Sequence, residues 1–209
     1  MSDELVFYTN PMSRGRIVRW MLEELGRPYK TELIDYASRM KSPEYLAINP
    51  MGKVPALRHG DTVVTEAGAI CAYLADAFPE AGLAPRLGDT ARGPYFRWLF
   101  YGAGVVEPAF VTKSLGFTIA PDQQRRAGWG SFEDAFDTLE AAVSGTEYLA
   151  GGRFSAADVY IGAELGFLMQ TGVLEPRPAF VTYASNLQAR PAAQRAKSID
   201  DELMAAMQR

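Results

Sequence analysis

The sequence predicts an α/β N-terminal part followed by an all-α remainder. Two observations carry that expectation. Over about the first eighty residues, apolar runs of strand and helix type alternate in the order β-α-β-α-β-β-α. After the breaker-rich stretch Pro79-Glu80-Ala81-Gly82-Leu83-Ala84-Pro85, only helical spacing recurs. The expected division is an α/β domain over 1–79, a linker over 80–88 and a helical domain over 89–209.

Leu5-Val6-Phe7-Tyr8 is a run of β-formers, and Thr9-Asn10-Pro11 breaks it. Ile17, Val18, Met21, Leu22 and Leu25 then share one helical face, stopped by Gly26 and Pro28. Tyr29 to Ile34 reads as a second strand, parallel to the first across a βαβ crossover. Ser42-Pro43-Glu44 supplies an N-cap, a proline at the first helical position and an early acid. The short helix it opens ends at Asn49-Pro50. Val54 to Arg58 and Thr62 to Thr65 form a hairpin about His59-Gly60-Asp61, which leaves His59 exposed at a turn. Ile70, Tyr73, Leu74 and Phe78 mark a helix from Glu66 to Pro79. Cys71 lies inside it and reads as a packed small residue, because a mid-helix thiol lacks the N-terminal dipole that would activate it. The order is that of a thioredoxin-like fold.

In the helical half, Asp89 is expected to cap a long helix running towards Gly116, kinked or broken at Pro108. Trp129, Phe132, Phe136, Leu139 and Val143 form the next apolar stripe, ended by Gly145. Ser155 and Asp158 make a capping box for a helix carrying Val159, Tyr160, Ala163 and Phe167. Pro176 and Pro178 precede another helix, and Arg190-Pro191 opens the last.

Composition excludes several functions. About half of the 209 residues are apolar, enough for a sizeable core. A formal net charge of −4 argues against a nucleic-acid surface. One cysteine and one histidine leave neither a disulfide, a CxxC pair nor a Cys/His metal site. Met1-Ser2-Asp3-Glu4 is acidic with no apolar block behind it, so a signal peptide is not expected. No run reaches the roughly 18 apolar residues of a membrane span. The expectation is a cytoplasmic protein without metal, nucleic-acid or membrane partners.

Pro55 heads an apolar run directly after Val54. Either it simply starts a strand, where its missing N–H is tolerated, or the Val54–Pro55 bond is cis. A cis turn would leave the N–H and C=O of Val54 outside the sheet, able to grip an extended peptide as an added strand does.

The βαβ-α-ββα opening with Lys53-Val54-Pro55-Ala56-Leu57 and Glu66-Ala67, followed by an all-helical half, resembles the cytosolic glutathione S-transferases, bacterial-type and serine-type. The resemblance spans essentially the whole chain. Four motifs carry it in order: Asn49 to Leu57, Thr65-Glu66-Ala67-Gly68-Ala69-Ile70, Phe154-Ser155-Ala156-Ala157-Asp158, and Arg190-Pro191-Ala192-Ala193-Gln194-Arg195-Ala196. It implies a homodimer with glutathione as co-substrate, bound on the first domain, and an apolar pocket for a small hydrophobic electrophile between the domains.

The resemblance also implies roles. Ser13 matches the activating hydroxyl and would lower the thiol pKa; read as a residue alone it is better taken as an N-cap, and Tyr8, Asn10 and a backbone N–H are alternative donors. Val54, before Pro55, would hold the cysteinyl backbone, and Glu66 the γ-glutamyl ammonium. Family members usually place serine where this chain has Ala67, so one neutral hydrogen bond of about 1 kcal/mol is missing, although the Ala67 N–H at a helix start can still take an anion. Lys41 and Lys53 match positions that bind the glycine carboxylate in some classes; each is otherwise a surface lysine. Tyr8, Met12, Trp98, Tyr101 and Phe110 are candidates for the electrophile pocket or for ordinary core. Two functions are compatible with this: transfer of glutathione to apolar electrophiles (with isomerisation as a variant), or a non-catalytic glutathione-binding or regulatory protein.

Overall fold

The computed structural model describes residues 4–207. Met1-Ser2-Asp3, on which the expectation about a signal peptide rests, and residues 208 and 209 lie outside this range. The chain divides into two compact units, one running to Ala81 and resuming at Arg190, the other spanning Gly82–Ala189.

The first unit is built on a four-stranded sheet in the order β2-β1-β3-β4. Strand β1 (Leu5–Thr9) is buried along its whole length. It pairs in parallel with β2 (Lys30–Leu33), with Thr9 opposite Leu33, and antiparallel with β3 (Ala56–His59), with Phe7 opposite Leu57. Strand β4 (Thr62–Thr65) closes the hairpin, with Ala56 opposite Thr65. The alternation of side chains divides two apolar layers. On one face Val6, Tyr8 and Ala56 cluster with Ile34, Met40 and Tyr45. Phe7 points the other way, towards Arg19 of α1 (Gly15–Leu25), whose guanidinium lies 5.0 Å from its ring.

Helix α1 presents the expected face, with Ile17, Val18, Met21, Leu22 and Leu25 buried, and Gly26 ends it in the left-handed region at φ 68°. Helix α2 (Pro43–Leu46) has Pro43 at its start and the Ser42 side chain accepting from the Tyr45 N–H. Helix α3 (Ala67–Ala77) buries Ile70, Cys71, Leu74 and Ala75. His59 is not an exposed turn residue: it ends β3, is half-buried, and its Nδ1 lies 2.8 Å from the Tyr73 hydroxyl of α3.

The last helix departs from the expected 89–209 domain. Helix α9 (Pro191–Met207) belongs with the first unit. Its Ala192, Ala193 and Ala196 are buried, and its charges pair with α1. Arg190 bonds Glu24 through two nitrogens at 2.7 and 2.8 Å, Arg195 meets Glu23, and Arg19 meets Asp200 with both side chains almost wholly buried.

The regular elements of the second unit are helices, with no strand among its described residues: α4 (Arg92–Tyr101), α5 (Glu107–Ser114), α6 (Phe132–Val143), α7 (Ala156–Gln170) and α8 (Pro178–Gln188). The long helix expected from Asp89 begins at Arg92 and is interrupted one turn before Pro108. Over Gly102–Val106 it widens into a π-turn, with the Glu107 N–H bonded to the Gly102 carbonyl. Pro108 has no N–H to continue the α pattern. A Cβ at Gly102 would sit 2.4 Å from the Tyr160 ring, so this bend also lets α4 approach α7. Trp129 precedes α6 rather than riding on it.

The expected capping box is present and does more than cap. Asp158 is wholly buried; Oδ2 accepts from the Ser155 N–H and hydroxyl, and Oδ1 from the Leu149 N–H and the Tyr183 hydroxyl of α8. Burial pushes its carboxyl above the usual range, against the pull of these donors. Asp158→Ala leaves four buried donors without an acceptor, so a loss of about 3 kcal/mol or more is expected in urea unfolding. Tyr183→Phe removes only one of them and is expected to cost about 1 kcal/mol. Equal effects of the two substitutions would refute a carboxylate hub.

Candidate functional site

The strand register decides which loops meet. Tyr8 pairs with Ala56, and Ala56 with Thr65. The chain leaving β1 at Asn10, entering β3 at Val54-Pro55 and leaving β4 at Glu66 therefore emerges at one end of the sheet. Ser13, Val54, Glu66 and Ala67, far apart in sequence, are gathered there.

The loop after β1 is shaped by Asn10, which is 1% exposed. Its amide donates to the Ile34 carbonyl at 3.0 Å, its side-chain oxygen accepts from the Met12 N–H, and its own carbonyl accepts from the Ser13 N–H. Asn10 thus closes the loop with both its side-chain amide and its carbonyl. The Ser13 hydroxyl donates to the Asn10 carbonyl at 2.6 Å and accepts from the Gly15 N–H at 2.9 Å. It sits at the opening of α1, backed by a helix N–H. Gly15 is required for this closeness: a Cβ there would lie 2.0 Å from the Thr9 hydroxyl. Met12, next to Ser13, is exposed. Tyr8 lies on the α2 face of β1, its ring tilted against Tyr45, and its hydroxyl accepts weakly from Arg58 at 3.4 Å.

The Asn49 to Lys53 segment is held by the side chains of Asn49, Tyr45 and Lys41. Asn49 donates to the Lys53 carbonyl at 2.7 Å and accepts from the Met51 N–H. Tyr45 donates to the same Lys53 carbonyl at 2.7 Å, and burial pushes its phenol up to about 12, so it stays a donor at any working pH. Gly52 turns at φ 54°, where a Cβ would press on the Met40 carbonyl and the Lys41 ammonium. Lys41 donates to the Met51 carbonyl at 2.8 Å, and Lys53 is exposed. The Val54–Pro55 bond is cis, and Val54 lies ahead of the ladder, which starts at Ala56. The only sequence signal for this framework was the Asn49-Pro50-Met51-Gly52 turn composition; Tyr45 had none beyond its helix.

Glu66 stands at the start of α3 with φ 68°, the one non-glycine residue in the left-handed region among the described residues. Its side chain does not cap the helix. The first helical bond runs from the Ile70 N–H to the Glu66 carbonyl, so the N–H groups of Ala67, Gly68 and Ala69 precede the ladder and face the open end. That end favours an anion. In the second unit, Trp98 and Phe110 are buried, and the Tyr101 hydroxyl donates to the Ala135 carbonyl. No group of His, Cys, Asp and Glu able to hold a metal occurs among the described residues, and no described helix is long and apolar enough to cross a membrane.

Two family models match the chain: the glutathione S-transferase N-terminal domain over residues 12–77 and the glutathione S-transferase C-terminal domain over residues 122–184. Glutathione S-transferase GST-4.5 of Xanthomonas campestris is 30% identical over 177 residues, covering 79% of this chain and 83% of that protein. A solved glutathione transferase from Methylococcus capsulatus has a TM-score of 0.77 at 29% identity, over 94% of this chain and 98% of that one. A sphingomonad glutathione S-transferase solved in complex with glutathione has a TM-score of 0.75 at 27% identity, with the same coverage. The first model spans the loop, the Val54 turn and Glu66, the second spans α6 and α7, and the bacterial relative extends across both; the chain belongs to the glutathione S-transferase family.

Proposed function

We propose that this glutathione transferase joins the glutathione thiolate to the electrophilic carbon of small apolar compounds, with Ser13 holding the sulfur. The observation that carries this reading is the register that puts Ser13, Val54 and Glu66 at one end of the sheet. The thiol proton passes to water, the thiolate forms the carbon–sulfur bond, and the leaving group departs with its bonding pair.

Glutathione is an extended anionic peptide, and the site offers it main chain first. Val54 gives its N–H and C=O to the cysteinyl backbone, with Pro55 buried behind it. Glu66 takes the γ-glutamyl ammonium, and the open N–H groups at Ala67 take the neighbouring carboxylate. Lys53 takes the glycine carboxylate, and Lys41, already bonded to Met51, adds charge beside it.

The free thiol ionises near 8.5. The Gly15 N–H on the Ser13 oxygen strengthens its O–H as a donor. Turning that hydrogen from the Asn10 carbonyl to a thiolate exchanges a bond of about 1 kcal/mol for one of about 2. The start of α1 adds about 0.5 kcal/mol. The sum, about 1.5 kcal/mol, brings the thiol down by roughly one unit, to about 7.5.

Met12, exposed next to Ser13, borders the electrophile; Tyr8, Trp98 and Tyr101 are weaker candidates, being packed or bonded within their own units. The proposed assembly is a homodimer, for which the exposed Phe100 on α4 offers apolar surface. A cytoplasmic location suits an enzyme whose co-substrate is a reduced thiol. A second reading, glutathione binding without turnover, is favoured by Ala67 in place of serine and by the Asn10 carbonyl that holds the Ser13 hydrogen.

A glutathione titration followed by a chlorodinitrobenzene assay separates the two. Saturable binding with turnover is expected; binding without turnover across a panel of electrophiles supports the second reading. Ser13→Ala is expected to move the absorbance titration of bound thiolate up by about one pH unit and to lower turnover about tenfold below that pH. An unmoved titration transfers the role to a backbone N–H. Glu66→Gly relieves the positive φ and removes the carboxylate together. Stability is therefore expected to hold or rise by about 1 kcal/mol, while glutathione affinity falls about tenfold or more. Loss of both stability and affinity would show that the Glu66 side chain is structural.

A further inference from the structure

We infer that Asp201 of the last helix is a positioning residue for the thiol-activating loop, acting through Arg16. The inference rests on the reading of Ser13 above. Arg16 is the second residue of α1, where a cation opposes the helix dipole, so helix stability does not explain it. Its side chain turns back instead. Nε donates to the Pro11 carbonyl at 2.6 Å, and one terminal nitrogen donates to Asp201 Oδ1 at 2.9 Å. The Asp201 carboxylate is held below the usual carboxylate range, first by a hydrogen bond from Lys197 and then by Arg16, so it is ionised throughout the working pH range.

Pro11 lies two residues before Ser13, and it has no N–H with which to tie itself to the loop. Asn10 fixes the loop at one side of it, and Ser13 bonds back to Asn10. The Arg16 guanidinium is the tie on Pro11, and Asp201 holds that guanidinium in place. The neighbouring pair has a different character. Arg19–Asp200 is buried, with side chains 1% and 2% exposed, and supports the core; Arg16–Asp201 is 33% and 43% exposed. A solvent-exposed pair contributes little to stability. Its geometry, with one arm on the catalytic loop, gives it a use that stability does not.

The test uses the full chain and compares Asp201→Asn, Asp201→Glu and Lys197→Gln. Asp201→Asn is expected to lower kcat about tenfold while KM for glutathione changes less than twofold, because the groups proposed to bind the peptide lie on other loops. The thiolate titration is expected to move up in pH, and the urea midpoint to stay near that of the wild type. Asp201→Glu is expected to restore most of the activity, and Lys197→Gln to give a kcat between those of the wild type and Asp201→Asn, because it removes one of the two cations that hold the carboxylate. A downward move of the titration would mean that Arg16 acts on the sulfur as an unmasked charge, and overturns the inference. So would wild-type kinetics for Asp201→Asn, or a fall in kcat matched by a fall in the urea midpoint. Absence of turnover in the wild type itself would sink the proposed function instead, which keeps the two failures distinct.

Discussion

The structure depends on one pairing constraint, the register of β1 against β3. Phe7 faces Leu57 across the ladder, and both are wholly buried on the α1 and α3 side. Their neighbours Val6, Tyr8 and Ala56 are buried on the α2 side. With both faces of β1 covered, a slip of one residue would exchange the two layers and put Tyr8 where Phe7 packs against Arg19. The hydrophobic layers therefore lock the register, and the register in turn sets which loop ends share the edge where chemistry is proposed.

The loops at that edge bury Pro11, Ile34, Met40 and Pro55 but leave main-chain groups outside the sheet ladder. They are fixed by polar side chains that replace missing main-chain partners: Asn10 across to Ile34, Asn49 and Tyr45 onto Lys53, Lys41 onto Met51. Such bonds are individually modest, but leaving a buried group unpaired is costly. The helix starts are treated differently. Ser42 caps α2 and Ser131 caps α6, whereas α3, like α1, starts without a side-chain cap. An uncapped N-terminus beside a residue held at positive φ is a local disadvantage in a stable fold, and it is where an anionic ligand gains most.

Much of the fold was legible in the sequence, since most elements announce themselves by local chemistry. The periodicity of Ile17 to Leu25, the Ser42-Pro43 start, the hairpin about Gly60 and the Ser155–Asp158 box all appear where their residue types require. The misreadings involve partners distant in sequence. His59 looked like turn surface, yet Tyr73 in α3 takes it in. The final helix looked like part of the helical half, yet Glu23, Glu24 and Asp200 pair it with α1. The break expected from Pro108 is present as the π-turn directly ahead of it, where Gly102 also lets Tyr160 approach.

The candidate site divides in the same way. By itself the sequence determined the residue types: a serine before a helix, a valine before a proline, a glutamate opening another helix, because short motifs carry their own backbone requirements. Only the tertiary structure decided that these three lie at one end of one sheet, that the Ser13 hydrogen rests on the Asn10 carbonyl, and that an aspartate 190 positions after Pro11 reaches that loop through Arg16. The physical reason is that main-chain register and long-range ion pairs are settled by which surfaces are buried together, and no local stretch of chain contains that information.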